Sequence, residues 1–146
     1  MKLPENIKER FRRYGRQGGQ ERASRLSAVA RRRIAARGAS ARWIRQRFGS
    51  DRFESLGLPG GDLVDRGLSD LAADRVSVES LLVSLAAPRL RREGIPVGAT
   101  LPEPERKLQE LLAREDGDSA HFRYNAYRRR IVSFADSCRF ARRDRE

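Results

Sequence analysis

The sequence has very little of the chemistry on which disulfide frameworks and structural metal sites depend. Its 146 residues include one cysteine, Cys138, and one histidine, His121. A single cysteine cannot form an internal disulfide, and structural zinc sites usually take four Cys or His ligands. Because Cys138 continues an apolar helical stripe, we expect a buried thiol and not a reactive one. We therefore predict no metal site and no cofactor.

Long hydrophobic runs and strand patterns are also missing. The longest apolar stretch, residues 81–87, is much shorter than the roughly 20 residues that a membrane-spanning helix needs. The first residues contain no apolar signal core. No segment alternates apolar and polar residues over more than a few positions, as a half-buried strand would. These absences predict an all-α, cytoplasmic protein that has no membrane partner.

The common catalytic motifs are absent as well. The sequence contains no phosphate-binding P-loop, no GxSxG, no HExxH and no CxxC. The spacing of Arg114 and His121 resembles the Arg-x(4–6)-His pattern of the all-α HEPN ribonucleases. That resemblance implies an enzyme in which Arg114 and His121 act on a phosphodiester. Residues 117–118 interrupt the helix between the two positions, so we prefer a surface histidine near a helix start and predict no catalytic residue.

Positive charge is abundant but unevenly distributed. Residues 1–48 contain fifteen basic and three acidic side chains, a net charge of +12 that equals the net charge of the whole chain. Residues 49–118 contain nine basic and fourteen acidic side chains, and residues 119–146 contain eight and three. A strongly basic block followed by an acidic middle predicts that one end of the chain contacts a polyanion while the rest has another role.

The beginning of the basic block predicts a short helix. Residues 4–6 supply a proline and a glutamate for its first turn, and Ile7, Phe11 and Tyr14 share one face. The glycines of residues 15–19 are expected to end this helix and to leave a looser arm.

A second helix is predicted from Ser27, its cap, to Phe48. Its apolar residues follow one stripe at helical spacing, namely Val29, Ala30, Ile34, Ala41, Ile44 and Phe48. Seven arginines mostly flank or oppose that stripe. The stripe predicts a basic helix that is docked through one face.

The remaining chain predicts a linker and a helical core. Residues 49–61 are rich in glycine and read as a loop that Phe53, Leu56 and Leu58 hold in place. We therefore divide the chain into a basic arm of helices at residues 1–48, a linker loop at 49–61 and a helical core at 62–146.

Caps and breakers delimit the core helices. Asp62 and Ser77 are expected to cap two of them, and Pro88 is expected to kink or restart the second. A short helix follows at residues 105–114. Asp118 is the predicted cap of the last helix.

The last helix has the clearest pattern in the chain. Its apolar residues repeat at intervals of four and three, namely Ala120, Tyr124, Tyr127, Ile131, Phe134 and Cys138. This seam predicts one buried face.

Two clusters of arginines in the basic block are the candidate nucleic-acid contacts. They are Arg10, Arg12, Arg13 and Arg16 in the first cluster and Arg31, Arg32, Arg33, Arg37, Arg42 and Arg45 in the second. Guanidinium groups bind phosphates without reading base sequence. Tyr14 and Trp43 lie among them and could stack on bases, but both also fit apolar helix faces, and core packing is the preferred interpretation.

Two segments of the basic block resemble a short element common in small bacterial proteins. They are residues 18–27, GGQERASRLS, and residues 32–43, RRIAARGASARW, in which Gly38 replaces the usual alanine. The rest of the chain, including residues 78–90 and 123–127, is similar to the helical antitoxin components of bacterial toxin-antitoxin pairs. That similarity implies a basic arm that binds operator DNA and an acidic body that covers the basic site of a toxin.

Taken together, the sequence predicts a small all-α bundle with a basic N-terminal helical arm. We expect a non-catalytic regulator, antitoxin-like in its leading form, that binds nucleic acid, DNA in preference to RNA, and a protein partner, for which a cognate toxin is one candidate. The alternatives are the HEPN-type ribonuclease and an RNA- or ribosome-associated adaptor.

Overall fold

The computed structural model describes residues 4–143, with the side chains at positions 23, 36, 37, 40, 41, 142 and 143 left out of the description. In this range the chain forms six α-helices and no strand. The helices are α1 Glu5–Arg25, α2 Ala28–Phe48, α3 Gly61–Ala72, α4 Val78–Arg92, α5 Pro104–Asp116 and α6 Ala120–Arg143. Short 3-10 turns lie at Glu54–Leu56 and Gly117–Ser119. The predicted all-α fold is confirmed.

The contacts of the chain separate into two compact units, Met1–Ala35 and Ala36–Glu146. The first unit contains α1 and the first turns of α2. The second unit contains the rest of α2 and helices α3 to α6. This division falls inside α2, whereas the division by charge falls at residue 48.

Helix α1 is not ended by its glycines, so that prediction was wrong. The helix continues through residues 15–19 to Arg25 and ends at Leu26, whose backbone is extended. Each glycine costs a helix about 1 kcal/mol relative to alanine. None of these glycines has a positive φ, and the glutamine, glutamate and arginine residues around them favour helix. The looser arm that the sequence suggested is helical in the described residues.

The apolar stripe of α2 is buried only toward the end of the helix. Ser27 caps the start as predicted, because its Oγ accepts a hydrogen bond from the backbone N–H of Ala30 at 3.1 Å. Ile44 and Phe48 are buried, but Val29 and Ile34 are each more than half exposed. The prediction of a helix docked along its whole stripe therefore holds for the C-terminal part alone.

A series of aromatic rings fixes the loop between α2 and α3 to the core. Phe53, in that loop, is fully buried. Its ring lies edge-on to Phe48 at 5.7 Å and to Phe134 of α6 at 4.9 Å, and Trp43 continues the series to Phe48 at 5.9 Å. Such pairs contribute about 0.5–1.5 kcal/mol beyond simple burial. The predicted anchoring of the loop by Phe53 is confirmed.

The caps of α3 and α4 differ in how well they were predicted. Ser77 forms a reciprocal capping box with Ser80, since each hydroxyl accepts a hydrogen bond from the other residue's backbone N–H. Asp62 caps nothing: α3 begins at Gly61, and the Asp62 carboxylate instead accepts a hydrogen bond from Arg130 at 2.8 Å. Pro88 does not restart α4, which is continuous to Arg92.

The seam of α6 forms the inner face of that helix as predicted. Tyr124, Ile131, Phe134 and Cys138 are all buried. The predicted burial of Cys138 is confirmed, and burial raises the pKa of its thiol to about 12. Asp118 belongs to the 3-10 turn that precedes the helix.

Candidate nucleic-acid interface

The first arginine cluster lies on α1 and is exposed. Arg10, Arg12, Arg13 and Arg16 all project into solvent. Glu5 pairs with Lys8 at 3.0 Å and reaches Arg12 only at 4.0 Å. The other three arginines form no ion pair among residues 4–143. Their guanidinium groups are therefore available to an external anion.

The second cluster begins at the N-terminus of α2. Arg31 and Arg32 are exposed and Arg33 is half-buried. Successive residues of an α-helix point about 100° apart, so these three side chains fan outward in different directions. They belong to the unit Met1–Ala35, as do the arginines of α1.

The rest of the second cluster belongs to the other unit. Arg42 is exposed, while Arg45 pairs with Asp51 at 3.1 Å. The side chain of Arg37 lies outside the description. The ten predicted contact residues are thus split between two units, and one of those in the second unit is already neutralised by an acid.

Most acidic side chains of residues 49–118 form ion pairs within the protein. Arginines of α6 take part in several of them: Arg130 binds Asp62 at 2.8 Å and Arg139 binds Glu93 at 3.2 Å. Pairs between neighbouring residues, such as Arg52 with Glu54 at 2.7 Å, account for others. The net charge of residues 49–118 therefore overstates the negative charge that this part of the protein presents to a partner.

Exposed aromatic rings accompany the arginines of α1. Phe11 is 66% exposed and Tyr14 is 60% exposed. The preference for core packing was therefore wrong for Tyr14. It is confirmed for Trp43, which packs against the core cluster. Phe11 was not proposed as a binding residue, although its position three residues before Tyr14 in a basic helix was a usable signal.

The residues that resemble the HEPN motif occupy different helices. Arg114 is exposed on α5 and His121 is exposed on α6, with the 3-10 turn Gly117–Ser119 between them. The His121 ring nitrogen Nε2 lies 3.0 Å from the Asn125 side-chain nitrogen, within the same helix. Among residues 4–143, no side chain forms hydrogen bonds that join Arg114 to His121.

The glycine-rich loop before α3 packs tightly against the protein. A Cβ atom at Gly60, where φ is +77°, would lie 2.8 Å from the backbone oxygen of Arg130. The loop therefore serves the approach of α3 to α6 and does not form an open cradle for phosphate. No group of three or more His, Cys, Asp or Glu side chains that could hold a metal occurs in the described part of the chain.

Two buried or half-buried groups of the second unit have shifted pKa values. Burial and a 2.6 Å hydrogen bond to Glu105 raise the pKa of Tyr124. Burial also raises the pKa of Asp65, although the backbone N–H groups of Phe53 and Glu54 donate to its carboxylate and oppose the shift. Their hydrogen bonds join α5 to α6 and the loop at Phe53 to α3.

Comparisons of the chain with protein-family models, with curated proteins and with solved structures give no match. None of the helices in the described range is both long and apolar enough to cross a membrane.

Proposed function

We propose that the protein is a non-catalytic nucleic-acid-binding protein whose main contact surface is α1 and the first turns of α2. The observation that carries this proposal is the difference in how the two units use their arginines. In the first unit, Arg10, Arg13 and Arg16 are exposed and form no ion pair with an acidic residue among residues 4–143, whereas many arginines of the second unit are paired internally.

Unpaired arginines on a helix suit a phosphate backbone. Each phosphate that an arginine neutralises releases condensed counterions, so the logarithm of the binding constant falls with the logarithm of salt by about 0.9 per contact on duplex DNA. If the four arginines of the first cluster each contact one phosphate, they supply a slope of roughly 3 to 4. Affinity should therefore depend steeply on salt.

A pair of charge-matched variants tests the assignment. The first variant replaces Arg10, Arg12, Arg13 and Arg16 with glutamine. The second replaces four exposed but acid-paired arginines of the second unit, namely Arg52, Arg66, Arg75 and Arg106. Both lose the same formal charge, and exposed ion pairs contribute only about 0–1 kcal/mol to stability.

The measurement is fluorescence anisotropy of a labelled oligonucleotide in a salt titration. We expect the first variant to lower the salt slope by roughly 3 to 4 and the second to leave it close to that of the parent protein. Equal effects of the two variants would show that net charge, and not the α1 surface, governs binding. Absence of binding by the parent protein at about 50 mM salt would refute the proposal. DNA and RNA duplexes of one sequence test the expected preference for DNA.

The antitoxin-like form of this proposal also needs a protein-binding surface. The internal pairing of the acidic residues favours an apolar one, and α6 offers Phe122, Val132 and Phe140 as exposed large apolar side chains. Phe122 and Phe140 are separated by five full helical turns and project in the same direction. Co-purification with the product of a neighbouring gene, lost on substitution of Phe122 and Phe140 by serine, is the expected result. Undiminished co-purification of that variant would remove α6 as the interface.

A further inference from the structure

We propose that Phe11 and Tyr14 form a stacking site for the unpaired bases of single-stranded nucleic acid. This inference rests on the proposed function and adds to it the class of ligand. The two rings are separated by one helical turn, at the i and i+3 positions whose Cβ atoms lie about 5–6 Å apart. Both rings are more than half exposed. A base can therefore reach the face of either ring.

The same face of α1 continues as a path for the backbone. Gly18 follows Tyr14 by one turn, and a Cβ atom there would meet nothing within 4 Å. Beyond it, Arg22 and Arg25 line a shallow depression together with Gly18, Glu21 and Leu26. At 1.5 Å per residue, the face from Phe11 to Arg25 is about 21 Å long. This face presents two aromatic rings, unoccupied space at Gly18 and two guanidinium groups.

The positive charge of the first unit favours a polyanion, and not a second copy of this chain, as the ligand that covers the exposed face of α1. Residues 4–35 contain ten basic and three acidic side chains. Two such surfaces would repel each other, because like charges brought together across an interface oppose association. The apolar face of α1 is therefore better covered by a ligand that also neutralises the arginines around it.

The extent of the apolar face selects nucleic acid over a membrane surface. Helices that lie in a lipid interface present an apolar face that enters the acyl boundary. In α1 the large apolar residues Ile7, Phe11 and Tyr14 all lie in the first half, and residues 15–25 contain none. Two rings within a basic helix instead match the combination of stacking platform and positive groove that single strands require.

Unpaired bases fit these rings better than a duplex does. In a duplex the base faces are stacked on one another, and only base edges are accessible in the grooves. A splayed single strand exposes the faces, and stacking of an aromatic side chain on a base is sequence-tolerant. The site thus predicts a preference for single strands with weak dependence on sequence.

Anisotropy titrations with labelled oligomers of about twelve nucleotides test the inference, a length within the usual site sizes of single-strand binders. The ligands are oligo(dT), oligo(U) and a DNA duplex. The test variant is Phe11→Leu with Tyr14→Leu. The control is Val76→Ala, which removes an exposed apolar side chain of the second unit that belongs to neither proposed binding surface.

We expect the test variant to weaken single-strand binding by about 10–100-fold and duplex binding by much less. The salt slope should not change, since the arginines are retained. The control should stay within about twofold of the parent protein. Tighter binding to oligo(dT) or to oligo(U) identifies DNA or RNA as the source of the strand, and either result is consistent with the site.

A fluorescence measurement tests the same site without relying on loss of binding. A Phe11→Trp variant places an indole at the exposed position, and saturating oligo(dT) should quench its emission as the base stacks on it. The parent protein, whose single tryptophan Trp43 packs against the core, should show no such quenching.

The outcomes separate this inference from the proposed function. Salt-dependent binding that prefers the duplex, or that the test variant leaves unchanged, overturns the stacking site and leaves the nucleic-acid proposal standing. Binding of the parent protein to no oligonucleotide overturns both. Binding to phosphatidylserine vesicles that excess oligonucleotide does not displace, and that the test variant abolishes, assigns the rings to a membrane surface and also overturns the inference.

Discussion

Substitution of Gly67 by alanine should destabilise the second unit, because this residue marks the closest approach of α3 to α4. A Cβ atom at Gly67 would clash with Val83 Cγ2 and would lie 2.5 Å from the backbone oxygen of Glu79. The valine side chain is fully buried and the oxygen belongs to the backbone of α4. Neither can move aside without separating the helices.

Two opposing effects set the size of the loss. Overpacking of a close helix contact costs about 1–3 kcal/mol, and the involvement of backbone at Glu79 places Gly67 toward the upper end. Replacing a helical glycine by alanine returns about 1 kcal/mol of helix propensity. The expected net destabilisation is about 2 kcal/mol. For a unit of about 110 residues, at roughly 4 °C per kcal/mol, the melting temperature should fall by about 8 °C.

Gly38 supplies the matched control, since it also lies inside a helix of the second unit but has nothing within 4 Å of its Cβ position. Gly38→Ala should leave stability unchanged or raise it by up to about 1 kcal/mol. Urea unfolding followed by circular dichroism at 222 nm measures both variants. If Gly67→Ala proves as stable as the parent protein, the inferred contact between α3 and α4 is wrong.

Three further predictions concern other parts of the chain. Cys138 should not react with thiol reagents at pH 8 in the folded protein and should react fully in urea. Because its pKa is raised in the folded protein, the thiol contributes stability below about pH 9, and that contribution is lost as the pH rises toward about 12. Alkaline unfolding should therefore expose it. Ser77→Ala should cost about 1 kcal/mol in urea unfolding because it removes the capping box of α4, and a Ser133→Ala control should cost less. Replacement of the glycines of residues 15–19 by alanine should raise the helical circular dichroism signal of α1, since none of them has a neighbour within 4 Å; an unchanged signal would contradict the helix found there.

Patterns that need only local information predicted most of the second unit. The intervals of four and three in α6 identify the buried Ile131 and Phe134, because a helix brings residues at that spacing to one side. The same holds for the cap at Ser77, where the partner lies three residues away. These features depend on helix geometry alone.

Burial of α1 and of the start of α2 could not be predicted in the same way. An apolar stripe shows that a helix face can be buried but not that another element covers it. Val29 and Ile44 belong to one stripe of the sequence, yet the first is 55% exposed and the second 4%. Whether a partner surface exists depends on the tertiary fold, which the period of the stripe does not contain.

Charge counts along the chain failed for a related reason. Arg89 with Asp136 and Arg139 with Glu93 join residues more than forty positions apart, so a count by segment assigns their charges to different regions. When the charges that neutralise each other in such pairs are left out of the count, the unpaired arginines of α1 stand out as a group of positive charges. Arg10, Arg13 and Arg16 form no ion pair among residues 4–143, and exposed rings lie on the same helix. Both proposals therefore depend on which charges are left unpaired and not on the net charge of +12.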